Sequence, residues 1–162
     1  MKFSRSAIRL SVMMFIAAGI FSCTSKTGSG KLHTGVEYYR SLQFSETPYD
    51  TEKGVHPLTA DQAKTINNYK FTYDDSGRLL SVEFGSINVL LGYSSMDGAA
   101  KIVYEYVGNK QIRHLFNKAN EPIESSGVSK EEYTLDANGI RTGLKFYGKG
   151  DSPVENENKI YS

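Results

Sequence analysis

The residues of this chain that could do metal or thiol chemistry are few and scattered. Its three histidines are His33, His56 and His114, and its one cysteine is Cys23. None of the histidines has a partner two or four positions away of the kind that metal sites use. The sequence therefore predicts no metal site and no cofactor.

The acidic and serine residues also fail to form a catalytic pattern. Adjacent acids occur at Asp74-Asp75 and at Glu131-Glu132. The first pair lies in a turn sequence, where carboxylates bond backbone groups. The second pair lies in a predicted strand, whose neighbouring side chains point to opposite faces and cannot both reach one substrate. No Gly-x-Ser-x-Gly nucleophile motif is present, so we expect no catalytic residues.

The N-terminus has the pattern of an export signal. A basic region with Lys2, Arg5 and Arg9 precedes the apolar or small residues 10–21, a segment too short to cross a bilayer comfortably. We expect residues 1–22 to be removed as a signal peptide. The remaining 140 residues (162 less 22) carry 16 basic groups (19 less three) against 18 acidic ones, a net charge of −2. This balance does not favour nucleic-acid binding.

The end of this segment, Ile20-Phe21-Ser22-Cys23, resembles the lipobox of bacterial lipoproteins. The resemblance implies cleavage between Ser22 and Cys23, with diacylglyceryl and N-acyl groups on Cys23 and hence a lipid bilayer as partner. No Asp follows Cys23, so the inner-membrane retention signal of some bacteria is missing. The resemblance then implies an outer-membrane lipoprotein, on the periplasmic side or at the cell surface. The alternative is an ordinary secretory signal with a chance cysteine.

The organisation after Cys23 is a tether followed by one domain. Residues 23–34 are small and polar, rich in Gly and Ser, and predict a flexible tether. Residues 35–162 then form the predicted domain.

The domain is predicted to be mainly β. In residues 69–84, aromatic and aliphatic side chains alternate with polar ones on either side of Asp75-Ser76-Gly77, which indicates a β-hairpin with one apolar face. Further turns are predicted at Gly108-Asn109 and Asn138-Gly139. The strands are predicted at 69–74, 79–85, 100–107, 111–117, 128–135 and 141–147. We expect an antiparallel meander of repeated β-hairpins that forms a single curled sheet.

The region before the first of these hairpins is predicted to be mixed. Residues 36–44 favour a strand, and residues 45–57 favour a long polar loop. Thr59 with Gln62 forms a capping box, which predicts a short helix over residues 59–68.

The sequence repeats loosely at a spacing of 31 residues. Residues 115–124 align with residues 146–155, and Gly77, Gly108 and Gly139 stand 31 apart. Residues 73–79 resemble the tyrosine–aspartate (YD) repeats, the RHS type of bacterial exported proteins, with degraded copies later in the chain. About three copies cannot enclose a cargo, so that role of RHS proteins is not implied here.

These features favour a non-catalytic envelope lipoprotein that presents a β surface for binding or scaffolding. Tyr104 and Tyr106 share a face with Ile102 and are predicted to be core. Tyr147 lies on the opposite face from Phe146 and is the candidate binding residue, for a protein or glycan partner in the envelope. The alternatives are an envelope hydrolase, and a structural or decayed fragment of a longer repeat protein.

The last residues predict an unfinished sheet. Residues 158–162 align with the start of an earlier strand and have no second arm. We expect residues 144–147 to form an exposed edge unless residues 158–162 cover it, and we expect association at high concentration through that edge.

Overall fold

The structure is a computed structural model that describes residues 32–86, 89–92 and 96–155. The predicted signal peptide, Ser22, Cys23 and residues 158–162 lie outside the described residues. Of the predicted tether, the structure describes only residues 32–34. His33 Nδ1 lies 2.6 Å from Glu37 Oε2, and the His33 ring stacks on Tyr73 at a centroid distance of 5.2 Å. The last residues of the predicted tether therefore contact the domain.

The described residues contain ten strands and one short helix. In chain order they are β1 (Gly35–Leu42), β2 (Gly54–Leu58), α1 (Ala60–Ala63), β3 (Asn68–Tyr73), β4 (Leu79–Ser86), β5 (Val89–Leu90), β6 (Lys101–Val107), β7 (Lys110–Phe116), β8 (Lys130–Leu135), β9 (Arg141–Tyr147) and β10 (Pro153–Val154). The strand predicted at residues 36–44 is β1. The six strands predicted between residues 69 and 147 are β3, β4, β6, β7, β8 and β9.

The strands form one antiparallel sheet in the order β10-β9-β8-β7-β6-β4-β3-β1-β2, with β5 paired to the end of β4. From β3 onwards, each strand of this path pairs with its neighbour along the chain. Short turns make this arrangement accessible, because antiparallel neighbours need no long connection. The predicted mainly β, antiparallel meander is confirmed.

One connection departs from the meander. β1 pairs with both β2 and β3, so the segment from β2 to β3 crosses over β1 and includes α1. The prediction that residues 45–57 form a loop throughout is wrong at residues 54–57, which belong to β2. β2 has only five residues and includes Pro57, so its sequence carries little strand signal, and in the structure His56 has a positive φ of 59°. Such features are tolerated in β2 because it is an edge strand of the sheet.

The helix is shorter than predicted. The capping box is present: Gln62 N–H donates to Thr59 Oγ1 at 3.2 Å, and Thr59 N–H donates to Gln62 Oε1 at 2.8 Å. The helix ends at Ala63 because the side chain of Asn68, the first residue of β3, binds the carbonyl groups of the last helical residue and of Ile66. Asn68 Nδ2 donates to Ala63 O at 2.8 Å and to Ile66 O at 2.9 Å. The buried amide thus fixes the change from helix to strand.

Four five-residue turns share one backbone hydrogen-bond pattern. In residues 74–78, Asp74 N–H donates to Arg78 O at 2.9 Å and Gly77 N–H donates to Asp74 O at 3.0 Å. The same two bonds recur in residues 117–121, 136–140 and 148–152. The fourth residue of each turn has positive φ, with values of 82° at Gly77 and 79° at Gly139 in two of the predicted turns. The predicted hairpin turn at Asn138-Gly139 is confirmed.

The core lies on one face of the sheet and forms two clusters. The larger is centred on Phe71, Val82 and Ile102 and includes Tyr104, and Tyr106 packs against it as a partly buried residue. Both tyrosines were predicted to be core. The smaller cluster consists of Val128, Tyr133, Leu144 and Phe146. Burial of these aromatic and aliphatic side chains is the main favourable term in folding.

The C-terminal edge differs from the prediction. Pro153 and Val154 of β10 pair with Tyr147 and Phe146 of β9. Residues 144–147 are therefore not an open edge along their whole length, because their last two residues are covered. The chain reverses in the turn at residues 148–152, so the residues that cover the end of β9 are 153–154, which follow that turn directly.

Candidate functional site

A cavity of about 860 Å³ lies between the loop that joins β1 to β2 and the core face of β7, β8 and β9. We call residues 43–53 the cover loop and this space the loop cavity. The cover loop contributes Phe44, Asp50 and Glu52 to its wall, among other residues. The sheet contributes Arg113, Glu131, Tyr133, Arg141 and Phe146. This volume is in the range of small-molecule sites in proteins.

Strand register places the polar residues of the loop cavity side by side. Tyr104 on β6 pairs with Arg113 on β7, and Arg113 pairs with Glu131 on β8. Two residues away on β7, Gln111 pairs with Tyr133. Side chains of directly paired residues share a face, and every second residue of a strand returns to it. These five side chains therefore lie on the core face.

Arg113 is the centre of an ion-pair network. Its side chain is 7% exposed and it lies 2.9 Å from both Glu52 Oε1 and Asp97 Oδ2, and 3.0 Å from Glu131 Oε2. Burial alone would lower the pKa of Arg113, but the charges of Glu52 and Glu131 outweigh it and raise that pKa above its usual value. Arg113 is therefore a permanent cation that holds the three carboxylates together.

Two tyrosine hydroxyls extend this network. Tyr104 donates to Glu52 Oε2, and Tyr133 donates to Glu131 Oε2 at 2.7 Å. Burial, followed by the neighbouring glutamate charge, raises the pKa of each tyrosine above its usual value. Both hydroxyls therefore stay protonated and act as hydrogen-bond donors. Glu52, on the cover loop, is held to the sheet by Arg113 and Tyr104 together.

Arg141 forms a second buried guanidinium site with neutral partners. Its Nε donates to Gln111 Oε1 at 2.7 Å, and its Nη1 donates to the main-chain oxygen of Asp50 at 2.6 Å. The guanidinium lies 3.7 Å from the centre of the Tyr133 ring, in cation–π contact. Nη2 is buried and has no hydrogen-bond partner among the described residues. Arg141 thus links the cover loop to β9 through Nη1, while the Nη2 end of its guanidinium makes no hydrogen bond within the described residues.

Tyr147, His56 and His114, three residues considered from the sequence, lie away from the loop cavity. Tyr147 is half-buried on the opposite face from Phe146, and Lys130 Nζ lies 4.5 Å from its ring centre. His114 Nε2 lies 3.7 Å from Glu105 Oε1, and His56 is exposed on β2. None of them lines the loop cavity.

The two adjacent acids of β8 separate as the strand pattern predicts. Glu131 joins the Arg113 network, whereas Glu132 Oε1 pairs with Lys110 Nζ at 2.9 Å. Asp74 caps its turn, because its Oδ1 accepts from Ser76 N–H at 2.9 Å and from Arg78 N–H at 2.8 Å.

Sequence reasoning missed Arg113, Arg141 and Glu52. A signal for Arg113 was present, because the turn at Gly108-Asn109 pairs β6 with β7 and places Arg113 opposite Tyr104 on the apolar face. Glu52 gave no such signal, since it stands 61 residues before Arg113 in a segment without regular structure.

Comparison with known proteins gives no relative: no family model, no curated protein and no solved structure matches this chain. Within residues 32–86, 89–92 and 96–155, no group of His, Cys, Asp and Glu side chains is arranged to hold a metal ion. The helix in the same part of the chain lacks the length and hydrophobicity needed to cross a membrane.

Proposed function

We propose that this protein is a non-catalytic lipoprotein, anchored in the outer membrane through Cys23, that binds a component of the bacterial envelope in its loop cavity. The observation that carries the binding role is the loop cavity itself, whose walls are held by an ion pair between Glu52 and Arg113 and by a hydrogen bond from Arg141 to the Asp50 main-chain oxygen. The anchor rests on the basic N-terminal region, the apolar segment and the Ile20-Phe21-Ser22-Cys23 sequence.

The network around Arg113 supports binding more than catalysis. Acid–base hydrolysis of a glycoside needs one carboxyl group that carries a proton and another that is ionised, on either side of the bond. Here Glu52 and Glu131 each accept hydrogen bonds from a guanidinium and a tyrosine hydroxyl. Each carboxylate therefore uses part of its acceptor capacity to hold the wall of the loop cavity together.

The binding role is tested by native mass spectrometry of the full-length protein, purified from a bacterial envelope in a non-ionic detergent. Thr51 is exposed and lines the loop cavity, so Thr51→Trp should fill part of the space at little cost in stability. Thr142→Trp, at an exposed position outside the lining, is the matched control. We expect a bound small molecule in the wild type and the control, and its loss from Thr51→Trp.

The same experiment separates the alternatives. A bound molecule that leaves the protein chemically unchanged supports a binding protein, and conversion of it to a product would support an envelope hydrolase. The convergence of three carboxylates on one arginine is the observation that keeps the hydrolase as the second candidate. An empty wild-type protein, in every envelope preparation, would favour a structural or decayed repeat fragment.

The anchor is tested by comparing the wild type with Cys23→Ser in a bacterial host. We expect the wild type to incorporate labelled palmitate and to sediment with the membranes, and Cys23→Ser to do neither. Equal membrane partition of both proteins, with no label in the wild type, would contradict lipidation at Cys23.

A further inference from the structure

Arg141 is a buried cation for which the described chain supplies no carboxylate partner. The ion pairs formed by described residues in the loop cavity involve Arg113. Arg141 is only 7% exposed and meets an amide oxygen, a main-chain oxygen and an aromatic ring, while Nη2 meets no described acceptor. Buried charges in proteins are normally paired, because an isolated ion loses its hydration without compensation.

We propose that the loop cavity takes a small organic molecule with one carboxylate, and that this carboxylate binds Arg141. The proposal rests on the binding function proposed above and names the chemistry of its ligand. Two parallel N–H groups of a guanidinium match the two oxygens of a carboxylate. Nη2 is free for one of these bonds, and Nη1 becomes free when it exchanges the carbonyl oxygen of Asp50 for the ligand.

The surroundings of Arg141 select a singly charged group over a phosphate. Glu52, Asp97 and Glu131 place three negative charges around Arg113 in the same cavity. A phosphate carries up to about two negative charges at neutral pH and would be repelled more strongly by these groups than a carboxylate. One carboxylate supplies Arg141 with its missing counter-ion at the smallest electrostatic cost.

The rest of the ligand meets apolar side chains. Leu42, Met96 and Phe146 line the loop cavity, and Phe44 on the cover loop is 85% exposed at its wall. An exposed phenylalanine next to a cavity can pack on an aromatic or aliphatic part of a ligand. The carboxylate is therefore expected on a molecule that also has an apolar group.

Binding is linked to movement of the cover loop. Nη2 is buried and Nη1 donates to the Asp50 carbonyl, so a carboxylate reaches the fork only when Asp50 moves away. Two residues further along the cover loop, Glu52 is held in place by its bonds to Arg113 and Tyr104. Ligand binding should thus increase amide exchange near Asp50, at the point where the loop leaves Arg141.

The test uses the full-length protein in a non-ionic detergent, titrated calorimetrically with phenylacetate, phenethylamine and phenyl phosphate. The three probes share a ring and differ in the charged group. We expect phenylacetate to bind at least about tenfold more tightly than either of the others, the change that a gained charge-assisted pair gives. Equal or tighter binding of phenethylamine or phenyl phosphate, or no binding of phenylacetate, would overturn the carboxylate assignment.

Two arginine variants locate the bound group. Arg141→Lys keeps the positive charge and loses the fork, and should weaken phenylacetate at least about tenfold. Arg78→Lys is the matched control: Arg78 also lies over a tyrosine ring, that of Tyr106 at 4.9 Å, but it pairs with Asp74 outside the lining of the loop cavity. Its affinity for phenylacetate should equal that of the wild type, and an equal loss in both variants would contradict the assignment.

If Arg141→Lys does not fold, an NMR measurement on the wild type tests the same contact between Arg141 and phenylacetate. The side-chain Nε–Hε signal of Arg141 in a nitrogen–proton NMR spectrum should shift on addition of phenylacetate, while that of Arg78 should not. An unmoved Arg141 signal at saturating phenylacetate would overturn the proposal. The binding function is contradicted by a different result, namely that native mass spectrometry shows no loss of an envelope molecule in Thr51→Trp. A bound envelope molecule without a carboxylate would contradict only the inference about Arg141.

Discussion

Arg113 and Arg141 lie two strands apart on the same face of the sheet, and the chain surrounds them differently. Arg113 on β7 has three carboxylate partners, which come from the cover loop, from the segment before β6 and from β8. Arg141 on β9 has neutral partners among the described residues. The first arginine organises the wall of the loop cavity, and the second is the one that we propose binds a ligand.

The first residue-scale prediction compares Glu131→Gln with Glu132→Gln. Glu131 accepts from Arg113 and Tyr133 on the buried face, so its loss should lower the free energy of unfolding by about 1–3 kcal/mol. Glu132 pairs with Lys110, whose side chain is 48% exposed, and its loss should cost less than about 1 kcal/mol. Urea unfolding of both variants checks the ranking, and a larger loss in Glu132→Gln would reverse our assignment of the two faces.

A second residue-scale prediction concerns the pH dependence of a turn. Asp136 accepts from Asn138 N–H and Ile140 N–H, each at 2.8 Å, and the bond to Ile140, followed by that to Asn138, holds the pKa of Asp136 below its usual value. A carboxyl with a lowered folded pKa stabilises the protein fully above its unfolded pKa of about 4, and the effect is lost as the pH falls through the folded value.

Asp136→Ala should therefore be less stable than the wild type at pH 7, and the gap should narrow below about pH 4. Unfolding free energies across this range measure the gap. Asp75→Ala, at an exposed neighbour of a similar turn, serves as the control. A gap for Asp136→Ala that stays constant or widens on acidification would contradict the assigned charge–backbone contact.

At the scale of elements, local patterns were sufficient wherever neighbouring strands are joined by short turns. The alternation of residues 69–84 and the turn residues that follow predicted the meander, because both signals act over a few positions. The strand β2 was not predicted, because its five residues include Pro57 and do not alternate between apolar and polar side chains. In the structure it is an edge strand, and His56 within it has positive φ. The helix α1 is shorter than predicted because the buried side-chain amide of Asn68, in the next strand, binds the carbonyl oxygen of its last residue.

The element-scale prediction tests a turn that fixes strand register. Gly139→Val should lower the free energy of unfolding by about 1–3 kcal/mol, because φ at this position is 79° and a β-branched residue is strained there. A side chain at Gly139 would contact nothing within 4 Å, so the cost comes from the backbone and not from a clash. Gly30→Val, in the predicted tether, should leave the melting temperature unchanged. Equal melting temperatures for wild type and Gly139→Val would contradict the strain argument.

At the scale of the whole molecule, the loop cavity joins parts of the chain that no local pattern connects. Glu52 reaches Arg113 across 61 residues and Asp50 reaches Arg141 across 91. The sequence therefore predicted the sheet and its apolar face, but not which loop would cover that face. The cover of the C-terminal edge was likewise not predicted from the sequence: β10 pairs with the last two residues of β9. We therefore expect association through residues 144–147 to be weaker than a fully open edge would give.

The most direct test of the proposed ligand site at Arg141 is a high-resolution crystal structure of the full-length protein purified from a bacterial envelope without added ligand. We expect density for a small molecule in the loop cavity, with an acceptor within hydrogen-bond distance of Arg141 Nη2 and the cover loop displaced at Asp50. A loop cavity that is filled by the protein's own side chains, with Arg141 paired to a carboxylate of the chain, would contradict it.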